Sequence, residues 1–321
     1  MAKIIENAKN YTGNELDQIF IRPTFTGEDA KELGIRVMYN IPQNTTMNFF
    51  AKQSNIVKEF ATGWQGGEAS KKYQKTIEMK KVKAEVGYQA EDYFATVFEK
   101  ITGRSDVSLQ DLTGTDLAKA EEELFRDAIK EDIRVAMWVG DTAGTLSDYT
   151  TFDGFLKKAA TYTDSKKYKL SATPTASNVL ASFKAVWNAA SDTLRAMKSK
   201  GNLRFYVTSD VYNALEEAYD GKDNSEAYRG LVDGRPVLKW RGIEVKEMHA
   251  ESYLKTAQSA IVLTHRDNLV LAVNTNDMPS AGVRMWYNPD ENENRQRAAF
   301  LASAEILDES LLVYASTTVS A

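Results

Sequence analysis

Residues 115–140 read TDLAKAEEELFRDAIKEDIRVAMWVG, and this run of residues governs the architecture of the whole chain. Apolar residues recur in it at helical spacing, so the sequence predicts one helix over Thr115–Val139 with Gly140 as its C′ residue. A helix of about 24 residues is about 36 Å long, since each residue rises about 1.5 Å. Its polar positions, together with Asp141, carry eight acids and four bases, a local charge of −4. The sequence therefore predicts a long helix with an acidic exposed side.

A second elongated element precedes the helix, over residues 46–90. A tryptophan and glycines at 63–67 provide turn residues between two apolar legs, and the second leg covers Tyr73–Tyr88. The apolar positions of that leg alternate with a period of two but change phase between Met79 and Val82, which indicates a bulge or twist. Because it has few core residues of its own, this hairpin is expected to project from the body.

The hairpin is basic where the helix is acidic. Residues 71–83 hold six lysines and one acid, Glu78, a local charge of +5. One interpretation is that the lysines protect an exposed strand from aggregation. The other is that the hairpin pairs with the acidic helix of a neighbouring subunit, because complementary charges favour register and specificity. Single exposed ion pairs contribute only about 0–1 kcal/mol, so the second interpretation needs many copies repeated over a lattice.

The compact part of the chain covers residues 145–275, where strand and helix patterns alternate. An amphipathic helix is predicted over Ser177–Lys200, with Gly201 as its stop. Two hairpins are predicted, one around Arg241–Gly242 and one around residues 264–268. Together these patterns predict one α+β domain.

Both ends of the chain are expected to be extended. Residues 1–45 combine glycine, proline and short apolar pieces, which is typical of an arm lying on another surface. Near the other end, Gly282–Asn288 and Arg295–Leu307 form a predicted hairpin that packs under the long helix, and Leu311–Ala315 forms a last short strand. The long helix and this hairpin predict a second, elongated domain.

The composition argues against an enzyme. The chain has 321 residues, no cysteine and only two histidines, His249 and His265, so disulfides, thiolate metal sites and cysteine nucleophiles are excluded. It contains no P-loop, Rossmann glycine motif, HExxH or GxSxG. The acidic turn 290–294 lacks the glycine of an EF-hand, and a solvated turn explains it better. We therefore expect no catalytic residue, no cofactor and no metal.

Charge and hydropathy narrow the range of partners. The net charge of −5 does not suit a protein that grips nucleic acid by counterion release. No apolar run approaches the roughly 18 residues of a membrane span, so no contact with a membrane is expected. Residues 1–7 contain no apolar signal segment.

The order of these parts resembles that of the major capsid proteins of tailed bacteriophages, which have the Hong Kong 97-like fold. An arm, a projecting hairpin, a long helix, a compact α+β domain and a returning hairpin correspond to the N-arm, E-loop, P-domain and A-domain of that family. The local sequences are similar as well. The segments that carry the similarity are Arg134–Asp141 with Phe152–Phe155, Phe205–Ser209, Gly234–Val237 with Arg241–Val245, and Arg284–Tyr287 with Asn294–Phe300.

The resemblance implies a domain division and a function. The division is an N-arm over residues 1–45, an E-loop over 46–90, a P-domain over 91–145 and 276–321, and an A-domain over 146–275. The function is self-assembly into pentamers and hexamers of an icosahedral shell that encloses double-stranded DNA, in virions assembled in the host cytoplasm. The implied partners are further copies of the chain, a separate scaffolding protein, a portal and a decoration protein, with packaged DNA held only by weak nonspecific contact.

The resemblance also makes the basic hairpin and the acidic helix surfaces between subunits. The hairpin lysines would contact a neighbour, residues 121–123 of the helix would receive them, and residues 1–42 would lie along an adjacent subunit. The interface residues that this predicts are Trp64, Gly66, Gly67, Lys71, Lys72, Lys75, Lys80, Lys81, Lys83, Glu121, Glu122, Glu123, Arg295 and Arg297.

Some members of the family cross-link a hairpin lysine to an asparagine of the P-domain. The candidates here are Lys71 or Lys72 with Asn288, Asn292 or Asn294, although no residue-by-residue match supports a particular pair. We regard such a cross-link as an open alternative.

Two other functions also stay open. An encapsulin-type nanocompartment shell has the same fold but encloses protein cargo instead of a genome. A more distant alternative is a small soluble enzyme or ligand-binding protein built on residues 145–275. That protein would need a convergent polar pocket, which the sequence does not indicate.

Overall fold

A computed structural model gives the fold of the chain. The structure describes residues 9–11, 33–42, 44–50, 59, 62, 66, 70, 72–89, 116–144, 149–163, 165–220, 229–232, 235–249, 258–274 and 282–318. Most of the predicted arm and the predicted tip of the hairpin lie outside these residues.

Fifteen strands and five α-helices lie within the described residues. The strands are β1 Lys9–Tyr11, β2 Arg36–Tyr39, β3 Asn44–Phe50, β4 Lys72–Glu78, β5 Lys80–Gln89, β6 Lys166–Lys169, β7 Leu203–Val207, β8 Arg229–Val232, β9 Arg235–Trp240, β10 Ile243–Glu247, β11 Ala260–His265, β12 Leu269–Asn274, β13 Gly282–Asn288, β14 Glu293–Ile306 and β15 Leu312–Ser316. The helices are α1 Asp116–Val139, α2 Phe155–Thr161, α3 Val179–Ala189, α4 Asp192–Ala196 and α5 Ser209–Asp220, with 3₁₀ turns at Met197–Lys200 and Glu309–Leu311.

The long strand β14 is the centre of the first sheet, called here the elongated sheet. β5 pairs antiparallel along one edge of it, at residues 293–302. The other edge is shared by β13, at residues 293–299, and β12, at residues 301–306. β1 extends the sheet beyond β13, and β2 extends it beyond β12. The returning hairpin predicted from the sequence is therefore confirmed, because β13 and β14 are its two strands.

A second sheet of seven strands forms the compact part of the molecule, in the order β6-β15-β11-β7-β10-β9-β8. β7 pairs with β10 and β6 pairs with β15 in parallel, and the other neighbours are antiparallel. The predicted hairpin around Arg241–Gly242 is confirmed, since Ile243 pairs with Trp240 across it. Both turn residues have positive φ, 49° and 80°, as a two-residue hairpin turn requires.

The hairpin predicted around residues 264–268 is wrong. β11 and β12 flank a short turn there, but they belong to different sheets. β7 and β15 fill both edges of β11, so β12 pairs instead with β14 and β2. As a result, residues 269–274 lie in the elongated sheet, and residues 312–316 lie in the seven-stranded sheet.

The single helix predicted over Ser177–Lys200 is broken in the structure. α3 ends at Ala189, and Ala190 adopts an extended conformation with ψ of 144°. Ser191 then caps α4, because its side chain accepts a hydrogen bond from the backbone N–H of Leu194. The Ser191–Asp192 pair is the sequence signal for this second start. Gly201 does end the segment, with a positive φ of 70°.

The long helix is confirmed to within one residue. Phe125, Ile129 and Ile133 of α1 are buried and belong to the same apolar core as Phe300 of β14. Gly140 follows the helix, but its φ is not positive, so it is not the left-handed C′ residue that the sequence predicted. Its backbone N–H instead continues the helical pattern by donating to the carbonyl of Ala136 at 2.9 Å.

The seven-stranded sheet separates two apolar cores. On β7, Tyr206 lies in the core shared with α1, α2 and the elongated sheet, whereas Phe205 lies in the core shared with α3 and α5. On β15, Tyr314 lies in the first of these cores and Val313 in the second. Alternation with a period of two thus places one sheet between two layers, and the strands β7, β11 and β15 each contribute to both cores.

Candidate functional site

The predicted second leg of the hairpin consists of two strands with different partners. β4 pairs with β3, and the pairing runs from Asn44↔Glu78 to Phe50↔Lys72. After Met79 the chain changes partner, and β5 pairs with β14 of the body. Ile77, Met79 and Val82 are all buried, on the two sides of this change. The phase shift in the sequence therefore marks the place where the β3–β4 hairpin leaves the elongated sheet.

The described side chains at the outer end of β4 are exposed on both faces of the strand. Lys72, Tyr73 and Gln74 of β4 are exposed, and Tyr73 retains 56% of its accessible surface. Gln74 donates a hydrogen bond to Asn48 across the hairpin at 2.9 Å, and Thr46 contacts Thr76 at 3.1 Å. Both contacts lie within the hairpin. The exposed aromatic side chain of Tyr73 lies beside the exposed Lys72.

The hairpin lysines fall into two groups. Lys75 is directed into the body of the molecule, where its Nζ lies 2.9 Å from Oε1 of Glu309. The lysines of β5 are exposed, and two of them lie beside carboxylates of their own segment. Lys80 lies 3.5 Å from Glu78, and Lys83 lies 2.7 Å from Glu85. Because both partners are exposed, each of these pairs contributes only about 0–1 kcal/mol.

The acidic residues predicted to receive the lysines lie in the first half of α1. Glu122 is half-buried, and the side chains of Glu121 and Glu123 lie outside the described part of the structure. Further along the same helix, Asp127 is exposed, and Leu124 beside it keeps 62% of its accessible surface. This helix therefore presents both acidic and apolar groups to the exterior.

A groove of about 250 Å³ lies between α1 and β5. Ala128 and Ile129 of the helix and Val82 and Ala84 of the strand line it, with Phe300 of β14. Lys83, Glu85, Asp132 and Thr151 line it as well, so the groove has both apolar and polar walls.

The remaining predicted interface residues have defined positions or lie outside the described residues. Arg295 is paired with Glu291 and lies 3.0 Å from Glu293, and Arg297 lies 3.4 Å from Glu85 of β5. Gly66 is exposed. Trp64, Gly67 and Lys71 lie outside the described residues.

The asparagines considered for cross-linking differ in accessibility. Asn294 is 4% exposed, Asn288 is half-buried, and Asn292 is exposed in the turn with a positive φ of 53°. Tyr287 donates a hydrogen bond to Oδ1 of Asn292 at 2.8 Å. Access therefore favours Asn292 over Asn294, and the cross-link itself stays a prediction.

The two histidines have local partners. Nδ1 of His249 lies 3.0 Å from Glu247, and Nδ1 of His265 accepts from the backbone N–H of Asp267 at 3.2 Å. The part of the chain that the structure describes contains no group of three or more histidine, aspartate or glutamate side chains able to hold a metal ion. None of the described helices combines the length and apolarity needed to cross a bilayer.

Solved structures with the same architecture come from phage particles. A chain of the satellite phage P4 procapsid, a particle that includes the size determination (Sid) protein, matches with a TM-score of 0.55 and 11% identity, over 91% of this chain and 97% of that one. A chain from Gordonia phage Cozz matches with a TM-score of 0.52 and 11% identity, over 89% and 85%. A chain of the capsid of Myoviridae phage XM1 matches with a TM-score of 0.52 and 13% identity, over 90% and 92%.

The chain has the fold of tailed-phage major capsid proteins. The α+β, Hong Kong 97-like fold class predicted from the sequence is therefore confirmed. No protein-family model and no curated protein sequence matches the chain. At identities of 11–13% the likeness lies in the arrangement of elements and not in shared side chains.

Sequence reasoning missed one feature of this capsid fold, the inward direction of Lys75. The residue belongs to a run of lysines, so composition alone groups it with the exposed ones. The distinguishing signal was positional, because Lys75 shares the strand face of Ile77 and Met79, and both of these are buried. The domain boundaries at 45, 90, 145 and 275 stay predictions.

Proposed function

We propose that this chain is a major capsid protein that self-assembles into pentamers and hexamers of an icosahedral shell, and that the shell encloses double-stranded DNA of a tailed phage. The observation that carries the proposal is the likeness of fold to a procapsid chain, which extends over 91% of this chain and 97% of the other.

The projecting hairpin supports a role in assembly. A monomer gains little from two strands whose outer side chains are exposed on both faces, because ordering them costs conformational entropy without burial in return. A neighbouring subunit would bury Tyr73 and Leu124 and the groove between α1 and β5. The exposed lysines of the hairpin and β5 would then meet the acids of α1, which favours one register between subunits.

The further partners in this proposal follow from the resemblance. They are a separate scaffolding protein, a portal and a decoration protein, with packaged DNA in weak nonspecific contact. A net charge of −5 suits the last point, since a shell that held its genome tightly would hinder packaging and release. The role is mechanical, and the proposal assigns no catalytic step to the chain. The mature protein would be found in the virion after assembly in the host cytoplasm.

Negative-stain electron microscopy of the purified chain tests the proposal. We expect closed particles hundreds of ångströms across, with a nucleic-acid absorbance peak when they are purified from infected cells. Closed particles that contain protein cargo and no nucleic acid would mean an encapsulin-type compartment instead. A homogeneous monomer under every assembly condition would contradict both shell functions.

Charge reversal tests the contact between subunits. In the double variant Lys80→Glu with Lys81→Glu, particles should form poorly while the subunit unfolds at the wild-type denaturant concentration, because both side chains are exposed. The matched control is Lys166→Glu with Lys169→Glu, which makes the same change of charge at exposed positions on β6. If both variants assemble like the wild type, the proposed pairing of charges is wrong.

A further inference from the structure

The side chain of Lys75 leaves the β3–β4 hairpin and ends on the body of the molecule. Its Nζ lies 2.9 Å from Oε1 of Glu309, 3.5 Å from Oε1 of Glu305 and 3.9 Å from the centre of the Tyr162 ring. Glu305 belongs to β14, Tyr162 follows α2, and Glu309 lies in the 3₁₀ turn before β15. One side chain of the hairpin therefore contacts three separate elements of the body.

On the body side, Glu305 has partners other than Lys75. Nζ of Lys158 lies 2.6 Å from Oε2 of Glu305, whose side chain is only 5% exposed. The hydroxyl of Tyr162 donates to the other oxygen of Glu305. Burial and the nearby charge of Glu305 raise the pKa of Tyr162, so its hydroxyl keeps the proton it donates. Lys158 already provides a positive charge for the buried Glu305, so Lys75 is not needed to neutralise it.

Lys75 lies between the buried root of the hairpin and its exposed outer residues. Inward of it, Ile77 and Met79 fix the root of the hairpin in an apolar cluster with Leu301 of β14. Outward of it, Lys72 and Gln74 are exposed. Its ion pair with Glu309 is thus a polar contact to the body that lies next to the exposed residues 72–74 of β4.

We propose that Lys75 is a latch that holds the outer part of the β3–β4 hairpin, beyond the buried Ile77, at one angle to the body. Ile77 and Met79 keep the root of the hairpin in the apolar cluster. Within the described residues β3 and β4 form a sheet of only two strands, which can bend between Ile77 and Lys75 while the β3–β4 pairing is kept. With Lys75 held by Glu309 and Tyr162, one orientation of the outer part is favoured. When that contact opens, the outer part swings while the root stays buried.

The latch is a property of one subunit, so it can be tested without a shell. If the chain also builds a shell, as proposed above, a latched hairpin with a second accessible orientation would let the same chain meet neighbours at different angles. Failure of the latch would leave the shell function untouched, and failure of the shell function would leave the latch untouched.

Spin-label distance measurements test the proposal. Because the chain has no cysteine, Lys72→Cys and Lys200→Cys give two unique labelling sites, one on the exposed end of β4 and one on the body. The labelled subunit is measured unassembled, or diluted in unlabelled particles so that distances between subunits do not contribute. We expect one narrow distance distribution in this background.

The test variant is Lys75→Met, which keeps an apolar side chain against Tyr162 but removes the charge. It should broaden the distribution by about twofold or more, since the second orientation becomes populated. The matched control, Lys81→Met, removes an exposed lysine from β5 and should leave the distribution unchanged. Glu309→Gln is a second test variant, because it weakens the latch from the body side without touching the hairpin.

The outcomes separate clearly. Broadening in Lys75→Met and in Glu309→Gln, with no change in Lys81→Met, supports the latch. An unchanged distribution in both test variants overturns it, and so does equal broadening in the control. If Lys75→Met fails to fold, Glu309→Gln decides, and a narrow distribution in that variant counts against the proposal.

Discussion

Two glycines hold the end of α1 against the loop that follows it. The backbone N–H of Gly154 donates to the carbonyl of Gly140 at 2.8 Å, so the two backbones are in direct contact. A Cβ on Gly140 would lie 2.2 Å from the carbonyl oxygen of Phe152 and 2.6 Å from that of Ala136. Both atoms are backbone and cannot move aside. Gly140 is therefore required by close approach, and not by the left-handed conformation that its place after the helix predicted.

Gly140→Ala should consequently destabilise the subunit by about 3 kcal/mol or more, since overpacking against fixed backbone is costly. The measurement is the midpoint of urea unfolding. Gly201→Ala is the control, because that glycine has a positive φ of 70° but no atom within 4 Å of an added Cβ. Gly201→Ala should lower the free energy of unfolding by only about 1 kcal/mol. Equal losses in the two variants would mean that close packing at Gly140 has no special effect.

A small charge cluster lies beside these glycines. Nζ of Lys157 is 2.6 Å from Asp141 and 2.7 Å from Asp153. The hydrogen bond from Lys157 lowers the pKa of Asp141. Burial acts to raise the pKa of Asp153, but hydrogen bonds from Lys157 and Thr142 outweigh it and hold that pKa below its usual 3.8. A depressed carboxyl pKa stabilises the folded state above about pH 4, and this stabilisation is lost as the pH falls through the folded value.

Lys157→Met should therefore reduce stability by up to about 1 kcal/mol at pH 7, because the pairs are partly exposed. The difference from the wild type should shrink when urea unfolding is repeated at about pH 3, where the carboxyls gain protons. Lys184→Met, at an exposed position of α3, should show no such dependence. A difference for Lys157→Met that is as large at pH 3 as at pH 7 would contradict an electrostatic origin.

At the scale of elements, periodicity predicts what each segment is but not which segment it pairs with. The helix over 116–139 follows from its spacing, since it presents one apolar face. The strands over 282–288 and 293–306 follow from two apolar segments joined by a polar turn. The hairpin predicted around residues 264–268 failed because a short turn between two apolar strands does not reveal that both edges of β11 are already occupied. Pairing depends on long-range competition for edges, which a local pattern does not contain.

For the candidate surface, the sequence predicted the charged elements but not the contact that Lys75 makes. The charge of residues 71–83 and of α1 correctly marked two elongated elements with exposed lysines and acids. The charge run could not separate Lys75 from its neighbours, because its role depends on Glu305 and Glu309, more than two hundred residues away in sequence. The phase shift at Met79 was a local signal, and it did mark the junction between the hairpin and the body.

At the scale of the whole molecule, the two cores are coupled through one sheet. Trp138 lies in the first core, 5.3 Å from Phe155 and 5.4 Å from Tyr206, measured between ring centres. Trp240 lies in the second, 5.7 Å from Phe205. Tyr206 and Phe205 are neighbours on β7, so loss of that strand would open both cores together.

The unassembled subunit should therefore unfold in one cooperative transition. In a variant that retains Trp138, with the other four tryptophans changed to Phe, the fluorescence midpoint in urea should coincide with the midpoint from circular dichroism of the same sample. In a variant that retains only Trp240, the fluorescence midpoint and the circular dichroism midpoint should also coincide. Comparing two signals within each variant removes the effect of the substitutions on overall stability. Fluorescence of Trp138 that changes well before or after the circular dichroism would show that the elongated sheet and the compact part unfold as separate units, and that β7 does not couple them.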